Sequence, residues 1–88
     1  MVSFIISVDT TYEMADNFFE LFFSHKFVKQ SEIVVVVDGN YNLQIHHLLN
    51  KLQKEHLNLK VIYSSKIGYG KANNLGVKHS TGEYLFFI

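Results

Sequence analysis

Asp38 stands where a ligand-holding carboxylate would be needed if residues 33–37, Ile-Val-Val-Val-Val, form a strand that leaves the sheet through Asp38-Gly39-Asn40. A carboxylate at such a strand end can accept hydrogen bonds from a base N–H or a ribose hydroxyl, the common way for doubly wound folds to fix a nucleoside. Asp38-Gly39 is equally at home in a plain turn, so both readings stand at this level. A second concentration of unusual residues lies at 66–76, Lys-Ile-Gly-Tyr-Gly-Lys-Ala-Asn-Asn-Leu-Gly. Gly68 and Gly70 would let backbone approach a ligand closely, and N–H groups at a helix start favour anions, so this stretch could face a diphosphate. Its spacing is neither a P-loop nor the dinucleotide fingerprint. The competing reading is a tight glycine loop steadied by Asn73 and Asn74 bonding nearby backbone.

Other reactive residue types offer less. The five histidines, His25, His46, His47, His56 and His79, show no metal-ligand spacing and read as solvated helix positions. The absence of cysteine rules out a disulfide framework and a thiolate metal site. Phe18, Phe19, Phe22 and Phe23 read as core and interface material rather than a cofactor box.

The elements that must position these residues follow from periodicity. Residues 2–8 are β-branched and aromatic without clean alternation, as in a strand buried on both faces of a parallel sheet. Thr10 followed by Glu13 suggests a capping box, and Met14, Phe18, Leu21 and Phe22 recur at helical spacing to about His25. After the second strand, Ile45, Leu48, Leu49 and Leu52 mark a second amphipathic helix. Residues 59–63 form a third strand, 71–79 a short helix, and 83–88 a fourth strand. The order βαβαβαβ predicts an α/β, Rossmann-like three-layer sandwich with a parallel sheet in the order 3-2-1-4. Ligands of such sheets bind outside the strands' carboxyl ends, here between the first and fourth strands. The turns after Val8, Val37 and Tyr63 should share that rim.

With 88 residues and 48% hydrophobic content, one small domain spanning 1–88 is expected. Eight basic residues balance eight acidic ones, which leaves no electrostatic footprint for nucleic acid. The opening apolar run is too short for a signal peptide or a membrane span, so no transmembrane segment is expected and the cytoplasm is the default location.

Three segments together resemble family 2 glycosyltransferases: Val2-Ser3-Phe4-Ile5-Ile6-Ser7-Val8, Val35-Val36-Val37-Asp38-Gly39-Asn40, and residues 66–88 ending in Gly82-Glu83-Tyr84-Leu85-Phe86-Phe87-Ile88. The run Gly68-Tyr69-Gly70-Lys71-Ala72-Asn73-Asn74-Leu75-Gly76 is most similar to the rhamnosyltransferase-like branch. The resemblance implies a truncated GT-A fold and a sugar transfer from a nucleotide-sugar donor, of UDP or dTDP type, to a glycan or lipid-linked acceptor in polysaccharide or cell-envelope assembly. It implies that Asp38 contacts the base or ribose, that Ser7, Val8 and Asp9 enclose the nucleotide, and that Lys71, Asn73 and Asn74 lie towards the diphosphate; Asn40, leaving the second strand, and Gly68 and Gly70, leaving the third, can converge on the same ligand from their loops.

The chain departs from the family pattern at Ser7, where proline is customary, at Asp9, where an aromatic residue is frequent, and at Val37, which replaces the first aspartate of the turn. It also stops at Ile88, before the Asp-x-Asp metal motif. A divalent cation, Mg or Mn, is therefore expected of the parent enzyme with none bound by a motif here, and no turnover is expected of this chain alone. A location peripheral to the inner membrane face is compatible with the parent's role. Tyr84, Leu85, Phe86, Phe87 and Ile88 would form an uncovered apolar edge that favours a homo-oligomer. Two other classes remain: a non-catalytic nucleotide-binding or assembly module, and a receiver-like domain. The receiver fits poorly, because Ser64 and Ser65 occupy the place of its phosphoacceptor aspartate.

Overall fold

The computed structural model describes residues 1–39 and 42–88. Its elements are β1 (Val2–Val8), α1 (Tyr12–Phe23), a 3-10 turn (Lys26–Gln30), β2 (Glu32–Asp38), α2 (Leu43–Glu55), β3 (Leu59–Ser64), α3 (Tyr69–Lys78) and β4 (Tyr84–Phe87). The four strands are parallel in the order β3-β2-β1-β4, as expected from the alternation of strands and helices. Every residue of β2 is buried, which is why its sequence runs Ile-Val-Val-Val-Val without alternation.

The pleat sends successive side chains to opposite faces and so divides the core. Ile6, Val8, Ile33, Val35 and Val37 join Phe19, Phe22, Ile45, Leu49 and Leu52 beneath α1 and α2. Ile5, Val34 and Val36 meet Ala72 beneath α3 on the other face. The three-layer sandwich is thus formed, with two helices above the sheet and one below. Gly76 makes the lower layer thin: a Cβ there would lie 2.5 Å from Cγ2 of Ile5.

Local chemistry corrects several expectations. Thr11, not Thr10, caps α1, its hydroxyl accepting the Met14 N–H, while Thr10 donates to the Met14 sulfur. Asn42 caps α2 by accepting the N–H groups of Gln44 and Ile45. Two of the histidines are more than solvated positions: Nδ1 of His46 lies 2.8 Å from the Tyr63 hydroxyl, and His56 stacks on Phe23 at 4.0 Å between centroids.

At the amino end of the sheet, Glu32 is buried yet fully engaged. Its carboxylate accepts from the Ser3 hydroxyl, the Thr81 N–H and the Thr81 hydroxyl, and pairs with Lys60 at 2.8 Å. This network fixes the turn that delivers β4 beside β1.

Candidate functional site

At the carboxyl end of β2, Asp38 is only 2% exposed and both of its oxygens are occupied. Oδ1 accepts the Ile67 N–H at 2.7 Å and Oδ2 accepts the Gly68 N–H at 3.1 Å. The carboxylate therefore ties the β3–α3 loop to β2. Gly39 follows at φ +91°, where a side chain would be strained and a Cβ would come within 2.7 Å of the Lys66 Cβ. The Gly39 N–H donates to the Ser64 carbonyl, pinning the two loops together. Across the rim, Lys66 Nζ pairs with Asp9 Oδ2 at 3.0 Å. The turns after β1, β2 and β3 thus emerge side by side, as the order 3-2-1-4 requires.

A cavity of about 430 Å³ opens at this rim, within the usual size range of small-molecule sites. β4 pairs only with residues 2–5 of β1, so Ser7 and Val8 have no strand on that side, and the cavity occupies the space. Its walls are Ser7, Val8, Asp9 and Thr10 from the end of β1, Met14, Phe18 and Phe19 from α1, and Asp38, Gly68 and Tyr69 from beneath the rim. The cavity lies at the switch between β1 and β4. It carries two acidic residues and no cation, on a largely apolar wall. Such a lining suits an uncharged planar group better than a bare phosphate.

Of the residues singled out from sequence, Ser7, Val8, Asp9, Asp38 and Gly68 gather at this cavity. Asn40 lies outside the described residues. Gly70, Lys71, Asn73 and Asn74 belong to α3 and do not line it. Asn73 is 8% exposed, and its side-chain oxygen has no hydrogen-bond partner among the described residues, so it does not steady the loop as a local backbone bond would. Tyr69, Met14 and Phe18 are cavity residues that sequence reasoning did not assign to the site. Tyr69 sits between Gly68 and Gly70, and its place in that glycine stretch was the available signal.

Residues 23–88 match the model of Glycosyl transferase family 2. The chain belongs to that family. No curated protein sequence matches it. For this family 2 chain, the matched stretch contains Asp38, Gly68 and Tyr69, whereas Ser7, Val8 and Asp9 precede it.

Both described carboxylates at this rim are already engaged. Asp38 spends both oxygens on backbone N–H groups and Asp9 is paired with Lys66. No group of three or more His, Cys, Asp or Glu side chains that could hold a metal ion occurs among the described residues. No described helix is long and apolar enough to cross a membrane.

Proposed function

We propose that this family 2 chain binds the nucleoside diphosphate portion of a nucleotide-sugar donor at the β1–β4 switch point, as part of a glycosyltransferase acting on a glycan or lipid-linked acceptor. The observation that carries the reading is the cavity bounded by Ser7, Val8, Asp9, Asp38 and Gly68 at the carboxyl rim of a parallel sheet. The base and ribose enter the apolar cavity, and the phosphates extend outwards to Lys66, which exchanges Asp9 for the ligand. Lys71 and Asn74, exposed on the first turns of α3, lie on the diphosphate side in this reading.

The glycine and asparagine pattern from Gly68 to Gly76 supports the rhamnosyltransferase-like branch, and with it a UDP or dTDP donor, polysaccharide or cell-envelope assembly, and work at the cytoplasmic side of a membrane. In the transfer itself a Mg or Mn ion would stabilise the leaving diphosphate and a carboxylate would deprotonate the acceptor, and the proposal assigns no turnover to residues 1–88 by themselves. Tyr84, Phe86 and Phe87 of the uncharged edge strand β4 are exposed, as is the adjoining Ile88, and a zero net charge sets no repulsion between copies, which supports self-association.

Titration with UDP and dTDP, followed by backbone amide shifts, tests the binding reading. Shifts should centre on Ser7, Val8, Asp9, Gly68 and Tyr69. No response at millimolar nucleotide, or a response confined to α2, would refute it. Donor-dependent glycosylation by the purified chain would refute the claim of inactivity. The engaged state of both rim carboxylates favours a second reading, a nucleotide-binding module without chemistry, which the same titration supports if transfer is absent from the full-length protein as well.

A further inference from the structure

The aromatic side chains around the cavity are not equivalent. Phe18 stacks on Phe22 with the ring planes 15° apart, and Phe19 is fully buried against Phe18 and Phe23. Each already packs against neighbouring rings. Tyr69 is 60% exposed, lines the same cavity, and makes neither a ring contact nor a side-chain hydrogen bond among the described residues. Its backbone is nonetheless held. Gly68, at φ +90°, turns the chain into α3, and the two N–H groups just before Tyr69 are bound by Asp38. A planar ring on an anchored backbone, with a free face at a cavity of ligand size, is a platform for a second planar ring.

We infer that Tyr69 is the surface on which the nucleobase of the ligand stacks. The inference rests on the nucleotide-binding reading and adds the residue that grips the base. Of the aromatic residues that line the cavity, Phe18, Phe19 and Tyr69, Tyr69 is the one with no ring packed against it among the described residues. Asp38 then acts as a positioning residue, holding the Gly68 turn that presents the ring. Because every base has a π face, stacking of this kind is tolerant of base identity. Tyr69 grips uracil and thymine alike, and any choice between them comes from other contacts.

The test compares UDP, uridine and inorganic pyrophosphate binding to the wild-type chain, Tyr69→Phe and Tyr69→Leu by amide-shift titration, with thermal melting to verify that each variant folds. Base–aromatic stacking predicts that Tyr69→Leu weakens UDP and uridine at least about fivefold and leaves pyrophosphate unchanged, while Tyr69→Phe retains wild-type affinity. Unchanged UDP affinity in folded Tyr69→Leu, with shifts still at Ser7 and Asp9, would overturn the stacking role and leave the nucleotide site standing. Equal weakening of pyrophosphate would overturn it too, because the effect would then lie in the loop and not in the ring. Failure of UDP and uridine to bind the wild type would remove both readings together.

Discussion

The side chain of Asp38 reaches from the last residue of β2 to the backbone of Gly68, thirty positions later, and accepts its N–H at 3.1 Å. With the Ile67 bond at 2.7 Å, one buried carboxylate sets the course of the loop that bounds the cavity. Asp38→Ala should therefore destabilise the fold by about 2–4 kcal/mol, because two buried N–H groups lose a charged acceptor. Urea unfolding measures the loss, and amide exchange should accelerate first at Ile67 and Gly68. An unchanged unfolding midpoint would mean that the loop is held by something else.

Glu32 gives the fold a dependence on acid. Burial alone would raise its pKa, but the Lys60 ammonium, the Thr81 N–H and the Ser3 and Thr81 hydroxyls together outweigh it and lower the value from 4.5 to about 2. A carboxylate whose pKa is depressed by folding contributes stability above its unfolded value and loses it as pH falls through the folded one. The contribution, of order 2–3 kcal/mol, should be complete above about pH 5 and fade between there and pH 2. Unfolding free energies measured across that window should fall for the wild type and stay nearly level for Glu32→Gln. Parallel slopes for the two proteins would contradict the assignment.

Two glycines of α3 should respond oppositely to alanine. At Gly76 the new methyl would lie 2.5 Å from Cγ2 of buried Ile5, so overpacking of about 1–3 kcal/mol should exceed the gain in helix propensity. At Gly70 nothing lies within 4 Å of the new methyl, and the propensity gain of about 0.5–1 kcal/mol should appear as added stability. Thermal melting of both variants is enough to separate them. Equal shifts would show that α3 does not pack through Gly76.

The Asp9–Lys66 pair joins two loops at 3.0 Å, but its side chains are 41% and 64% exposed. Such pairs contribute less than about 1 kcal/mol, so Lys66→Ala should barely move the unfolding midpoint, and a double-mutant cycle with Asp9→Asn should give a coupling that vanishes in high salt. A large coupling that persists in salt would show the pair to be structural, not an ion pair that a ligand readily exchanges.

Much of the fold was legible because burial writes itself into periodicity. The run 33–37 announced a strand covered on both faces, and Ile45, Leu48, Leu49 and Leu52 announced one face of a helix; all of these residues are buried. Strand order followed from alternation and handedness. The cap of α1 was misplaced by one residue because Thr10 and Thr11 are chemically equivalent, and only the backbone path decides which hydroxyl accepts the Met14 N–H. The partners of Asp38 and Glu32 were hidden for a different reason. They lie 28 to 49 positions away, Ser3 upstream and the rest downstream, and no local spacing encodes a contact of that range. Tyr69 was missed as a cavity residue since its significance depends on what does not touch it.

The two acids that terminate β2 bear on the order of assembly. Glu32 and Asp38 sit at opposite ends of the most deeply buried strand; apart from the Ser3 hydroxyl on Glu32, their partners among the described residues all come later in the chain, Lys60 and Thr81 for Glu32, Ile67 and Gly68 for Asp38. A β1–α1–β2 unit alone would offer Glu32 only the Ser3 hydroxyl and Asp38 no partner found among the described residues, so burying the two carboxylates there would cost several kcal/mol. The central strand thus cannot sink into the interior by stages, and its burial waits on the last third of the chain.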